Sequence, residues 1–179
     1  MFAEIERQLQ NVPAKEFHFG FGQYLFHLGD RVRTIHFIKE GAVHLARNQM
    51  DGTSVILQRA GPGSILAEAS LYSDKYHCDA AAAAPTLTRA FSKADLQSRL
   101  QKSMELGNAW ARHLAMELQR TRMQAEILAL KTVAERLDAW ISWNDGDSPR
   151  KGEWKIVASQ IGVSHEALYR EIAKRRLPV

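Results

Sequence analysis

From Ala67 to Ala80 the chain reads AEASLYSDKYHCDA: one glutamate, one histidine, the only cysteine and two aspartates in fourteen residues. Such residue types hold metals, move protons or line a polar ligand pocket. His77, Cys78 and Asp79 are three potential metal donors in a row, with His18, His27, His36 and His44 upstream. Adjacent strand residues point to opposite faces, so His77 and Cys78 cannot both enter one pocket if that piece is strand. No spaced His/Cys set stands out, and neither a metal site nor a cofactor is assigned. A lone cysteine also serves as a small buried filler. A redox role for Cys78 requires a basic neighbour to lower its pKa, and Asp79 works against that.

A second group of chemical residues lies near the end, in GVSHEALYREIAKRR. Gly162 suits the positive φ of a tight turn between helices, Val163 can plug between them, and Ser164 can cap the next helix. With Ala158 early, this is a helix-turn-helix pattern. Its second helix carries Ser164, His165, Glu166, Tyr169, Arg170, Lys174 and Arg175. Arginine pairs with guanine O6/N7 and glutamate accepts from cytosine N4, so this set reads either as DNA-contacting or as the solvated charged face of a plain helical hairpin. Ala167, Leu168 and Ile172 form the core face. Enzyme signatures are missing: there is no Ser/His/Asp order, no GxxxxGK and no HExxH.

The elements that position these groups fall into three zones. Zone one, about residues 16–91, is rich in strand and turn signals: QYLFHLGD, TIHFIKEGAVHLAR with its Lys39-Glu40-Gly41 turn, and an Asp51-Gly52 hairpin signal followed by Gly61-Pro62-Gly63. Ile35 and Phe37 are expected on one face, and Val43 and Leu45 on one face after the turn. Ala80–Ala84 would be helix by propensity, but Pro85 follows and no amphipathic period develops, so strand is expected. SKADLQSRL then begins a capped helix. The second zone is a long helix whose stripe of Leu106, Trp110, Leu114, Leu118, Thr121, Ala125 and Leu128 has coiled-coil width. Packing on its own domain is one reading; a parallel homodimer seam is the favoured one. Zone three begins with TVAERLDAWISW, an amphipathic helix with Val133, Leu137, Trp140 and Ile141 on one side. It continues through a loop, NDGDSPRKG, into the helix-turn-helix.

The 179 residues allow one ordinary domain or two small ones. The net charge of +4 and a pI near 9.3 permit nucleic acid as a partner without requiring it. No run of about 18 apolar residues would cross a membrane. The polar start is not a secretory signal, and one cysteine makes no internal disulfide; a cytoplasmic protein is expected.

Roll, long helix and helix-turn-helix in this order resemble the Crp/Fnr superfamily of bacterial transcription regulators. LFHLGD with IHFIKEGAVHL resembles the family's G-(D/E) turn and its (Y/F)-I-x-x-G hairpin. DGTSVILQRAGPGSILAEASL resembles the next hairpin and the approach to the phosphate-binding cassette. TVAERL resembles the start of the DNA-binding domain, and GVSHEALYR resembles G-(V/C)-S-R-E-x-(V/L)-x-R. The resemblance implies an α+β chain: a cyclic-nucleotide-binding-like, effector-sensing β-roll over 1–102, a dimerisation helix over 103–130 and a shortened helix-turn-helix DNA-binding domain over 131–179. It implies that Glu166 and Arg170 contact bases, with His165 in place of an arginine. Palindromic double-stranded DNA and a second copy of the chain are the implied partners, and RNA polymerase is an open one.

In nucleotide-binding members the cassette runs G-E-L-(G/A)-L, then R-(S/T)-A. Here Glu68 matches the glutamate, Ala67 replaces the glycine, Cys78 stands at the arginine and Asp79 at the Ser/Thr. Ala69 completes the pocket wall. Thr121 falls at the family's adenine-contacting threonine, and Arg122 stands as a substitute cation. The lost arginine predicts a pocket that does not usefully bind cyclic AMP or cyclic GMP. The effector is unknown or absent. Some relatives bind haem, so a haem or redox sensor with weak DNA binding is the alternative. The oxygen sensors' N-terminal cysteine cluster is missing. The chain as given stops at KRRLPV, so the family's β-hairpin wing is expected to be absent, with Lys174, Arg175 and Arg176 supplying backbone contacts.

Overall fold

A computed structural model describes residues 2–144, 149 and 152–175. The described chain forms two compact units, Met1–Leu114 and Ala115–Val179.

The first unit opens with α1 (Phe2–Gln10), which sequence patterning did not anticipate. Ile5 and Leu9 are one turn apart, and both are buried. Eight strands follow: β1 (Ala14–Phe19), β2 (Tyr24–Phe26), β3 (Thr34–Glu40), β4 (Val43–Asn48), β5 (Ser54–Ala60), β6 (Ile65–Leu66), β7 (Asp79–Ala82) and β8 (Thr86–Ser92). They make two antiparallel four-stranded sheets, ordered β1-β8-β3-β6 and β2-β7-β4-β5. The inward side chains of both sheets share one core, including Ile35, Phe37, Val43, Leu45, Leu66 and Ala80. The fold is thus the expected α+β arrangement of a roll followed by helices.

Three local expectations have instructive outcomes. Ala80–Ala82 of the alanine run are strand, because β7 is hydrogen-bonded between β2 and β4 and tertiary pairing overrides helix propensity, while Ala83 and Ala84 lie beyond the strand's end. The Lys39–Gly41 turn does not close a hairpin: β3 and β4 belong to different sheets, so the chain crosses between layers there. Gly41 has φ +87°, and a β-carbon on it would lie 2.3 Å from the Pro85 carbonyl oxygen, so only glycine fits. On β3, Ile35 and Phe37 lie together in the core as expected, but their neighbours are not exposed. Ile35, His36, Phe37 and Ile38 are all buried, so both faces of the strand are covered. His36 lies 3.1 Å from both the Thr34 and Thr88 hydroxyls, among the rings of Phe17, Phe19 and Phe26.

Helix α2 (Lys93–Lys102) starts at Ser92, whose hydroxyl accepts the Asp95 N–H, as the Ser-x-x-Asp spacing predicts. The long helix α3 (Met104–Ala129) follows, and the boundary of the two units falls within it. Helices α4 (Val133–Trp143), α5 (Trp154–Gln160) and α6 (His165–Arg175) complete the second unit. Thr132 and Glu135 form a reciprocal capping box at the start of α4. Leu137, Trp154, Val157, Ala158, Ile161, Leu168 and Ile172 are its buried core, with Ile127 from α3. Most of the NDGDSPRKG loop, Arg176 and the stretch on which the wing expectation rests lie outside the described residues. Among the described residues, no helix is long and apolar enough to cross a membrane.

Candidate functional site

Two sites were expected, one in each unit. In the second unit, the turn between α5 and α6 is built as the sequence suggested. Gly162 has φ +66°, a conformation that strains any residue with a β-carbon, and that atom would also have to displace the tip of the Leu128 side chain, at 2.6 Å. The Val163 N–H donates to the Ala158 carbonyl, and Ser164 Oγ accepts the Ala167 N–H at 3.2 Å. Arg136 on α4 holds this turn from behind. Its guanidinium donates to the carbonyls of Leu128, Leu130, Ile161 and Gly162 at 2.9–3.1 Å. Sequence reading had no signal for this role, since all four partners are backbone oxygens.

His165, Glu166 and Arg170 are exposed on α6, and Ser164 is exposed beside them. The Glu166 carboxyl is held below the usual range by its own backbone N–H, the Ser164 hydroxyl and the nearby His165 and Arg170 charges. Ala173, exposed between these residues on the helical wheel, was not singled out from the sequence; its small side chain leaves room for close approach. Two assigned residues are also engaged within the fold. Tyr169 is half-buried against the core. Arg175 is a clamp between helices: it forks onto Asp138, donates to the Ala134 carbonyl at 3.0 Å and pairs with Glu171 at 2.7 Å. With those partners satisfied, it has no free fork for a phosphate. Lys174 is exposed, with Glu171 at 3.8 Å.

The seam expected along α3 is divided. Leu106 and Trp110 are buried in the core of the first unit, with Leu114 packed against it. Spacing put them on one stripe with Leu118, Thr121, Ala125 and Leu128, but the roll covers the first turns of the helix. The latter four are exposed. Thr121 and Arg122 belong to the second unit, and the Thr121 hydroxyl donates to the Glu117 carbonyl.

In the first unit, Ala67 is the one described non-glycine residue with positive φ, +66°. It stands where the family pattern has glycine, and it turns β6 sharply into a single 3-10 turn, Glu68–Ser70. Ala69 is exposed and Glu68 is half-buried. Ser70 Oγ lies 2.9 Å from His77 Nδ1. Cys78 is buried in the hydrophobic core, and burial, with help from Asp79 and Glu68, pushes its thiol up to about 11 against an opposing effect of Arg47. The basic neighbour that a redox role requires is Arg47, but burial outweighs it. Cys78 in the native protein is expected to react with a disulfide reagent at pH 8 about two orders of magnitude slower than after unfolding. A native rate equal to the unfolded rate would show the thiol to be exposed. The Asp79 carboxylate accepts the Leu28 N–H at 2.9 Å and lies 3.4 Å from His27 Nδ1. Among the described residues, no cluster of three or more His, Cys, Asp or Glu side chains is placed to hold a metal ion.

A roll carrying a polar cassette and a helix-turn-helix with an exposed, charged second helix are the two features to be compared with known proteins. Residues 16–103 match the cyclic nucleotide-binding domain family. FixK2 from Bradyrhizobium japonicum superposes with a TM-score of 0.72 at 18% identity, over 92% of this chain and 85% of that one. The c-di-GMP responsive global regulator CLP of Xanthomonas campestris superposes with a TM-score of 0.66 at 20% identity, over 97% and 91%. The N-terminal domain of a transcriptional regulator from Streptomyces coelicolor is 28% identical, with a TM-score of 0.53 over 66% of this chain and 83% of that one. A comparison with curated protein sequences finds no match. Residues 16–103 are thus similar to the cyclic nucleotide-binding domain, and the chain has the fold of the transcription regulators on which it superposes.

Proposed function

We propose that this chain is a homodimeric DNA-binding transcription regulator, a binding protein and not an enzyme. The observation that carries the reading is the face of α6: His165, Glu166 and Arg170 project from a capped helix whose turn is held by Arg136. A helix so presented can enter a major groove with its N-terminal residues at base edges. The exposed stripe of Leu118, Thr121, Ala125 and Leu128 supports a dimer seam. The cassette at Glu68–Asp79 is read as the effector pocket. Cyclic AMP and cyclic GMP are not its effectors, because the arginine position holds a buried, protonated thiol and the next position holds a carboxylate.

Selection from random duplexes tests this reading. Bound sequences are expected to be inverted repeats, with affinity falling steeply as salt rises. The Arg170→Ala variant should lose about 1–3 kcal/mol of discrimination at one position per half-site. Unchanged affinity and specificity in that variant would remove α6 from the role of reader.

A further inference from the structure

The second unit holds a cavity of about 160 Å³ between α3, the C-terminal end of α4 and the last residue of α5. Its apolar walls are Met123 and Ile127 on α3 and Trp140 and Trp143 on α4. Each pair is three or four residues apart, so each pair shares one side of its helix. Ile127 is buried, whereas Trp143 is 47% exposed. Trp140 is fixed in place. Its Nε1 donates to Gln160 Oε1 at 2.8 Å, and its carbonyl accepts from Asn144 Nδ2 at 2.7 Å. The same two bonds orient the two amides. They leave the Gln160 amide nitrogen as a donor and the Asn144 side-chain oxygen as an acceptor, and both residues line the cavity. Gln124 on α3 adds a further amide. Arg120 is the one charged residue among the described lining, and Glu117 pairs with it at 3.2 Å. These side chains belong to neither the cassette of the roll nor the reading face of α6.

We propose that this cavity binds a small, neutral, single-ring heteroaromatic molecule with a donor and an acceptor on its edge. Indole walls favour a flat ring in offset stacking over a saturated one. A cavity of about 150 Å³ holds one benzene-sized ring, so one ring fits here and a fused pair does not. The amide donor and acceptor at the rim call for polar atoms on the ligand, because covering them with hydrocarbon leaves both without partners. With Arg120 paired to Glu117, the lining offers no net charge, which selects against an ion. The bound ring touches α3, α4 and α5 together, and α5 leads directly into the turn that sets α6.

The test measures binding of nicotinamide to the full chain by saturation-transfer NMR. Cyclohexanecarboxamide serves as a saturated ring with the same amide, and N-acetyltryptophanamide as a protein-like side chain. Wild type, Trp143→Ala, Trp143→Phe, Gln160→Ala and Ile156→Ala are compared; Ile156 is an exposed apolar residue of α5 outside the cavity and serves as control. Nicotinamide should bind wild type with a dissociation constant of about 1 mM or below. Trp143→Ala should weaken binding about tenfold, the effect of losing one ring stack. Trp143→Phe keeps a ring and should retain most of the affinity, which separates stacking from any loss of folding. Gln160→Ala, which frees the Trp140 indole, should weaken binding about fivefold, and Ile156→Ala should leave it unchanged. No binding of nicotinamide to wild type, or equal binding to Trp143→Ala, overturns the site. Cyclohexanecarboxamide bound as tightly as nicotinamide overturns it too. N-acetyltryptophanamide bound more tightly than nicotinamide would overturn the ligand class and make the cavity a seat for a partner's side chain.

Discussion

Arg136→Ala is expected to destabilise the second unit by about 3 kcal/mol and to abolish operator binding, although Arg136 does not belong to the proposed reading face. One guanidinium satisfies four carbonyls, at the C-terminal end of α3 and in the turn before α6. A hydrogen bond from a charged donor contributes about 1.5–3 kcal/mol, and partial exposure brings the sum of four well below simple addition. Removing the donor also leaves the half-buried Leu130 and buried Ile161 carbonyls without that partner. A unit of about 65 residues has a net stability of roughly 3–10 kcal/mol, so the loss is a large fraction of the whole. Arg136→Lys should rescue little, because a single ammonium cannot span carbonyls on both sides of the turn. The measurement is urea unfolding followed by tryptophan fluorescence, to which Trp154 in the buried core of that unit contributes, alongside operator affinity. An alanine variant that unfolds at the wild-type urea concentration and binds operator within threefold would show the clamp to be ornamental.

What could be read from the sequence follows from the range of the forces involved. The helix-turn-helix was legible because its determinants are local: Gly162, Val163 and Ser164 act within a few residues of themselves. The Ser92 cap was local in the same way. The crossing between sheets at Gly41 was not, since a turn signal does not say which strand comes next to pair. Arg175 looked like a phosphate contact because its helix is basic; its true partners, Asp138 and the Ala134 carbonyl, lie on a helix 37 or more residues away. The stripe on α3 had one period but two environments, since spacing cannot report that the roll covers Leu106 and Trp110 while Leu118 stays exposed.

His36 carries the second large effect, and it depends on what lies across the sheet. By alternation it belongs on the outer face of β3, yet it is 4% exposed. Both ring nitrogens are within hydrogen-bond distance of threonine hydroxyls, partners that a neutral imidazole satisfies as donor and acceptor. Burial lowers its pKa from 6.5 to about 4. In the unfolded chain the same group titrates near its ordinary value. Between those two values the unfolded state therefore binds more protons than the native state, and stability must fall as pH falls. The contribution is complete above about pH 6.5 and is lost progressively down to about pH 4. It amounts to about 2 kcal/mol between pH 7 and pH 4.5. Carboxylates titrate in the same range, so the prediction is a difference: denaturant midpoints for wild type and His36→Leu should converge as pH is lowered from 7 to 4.5. The variant starts out less stable at pH 7, where the Thr88 hydroxyl has lost its imidazole partner, and it loses less on acidification. Parallel pH profiles for the two proteins would mean that His36 is protonated in the native state, and that the Thr34 and Thr88 hydroxyls both act as acceptors.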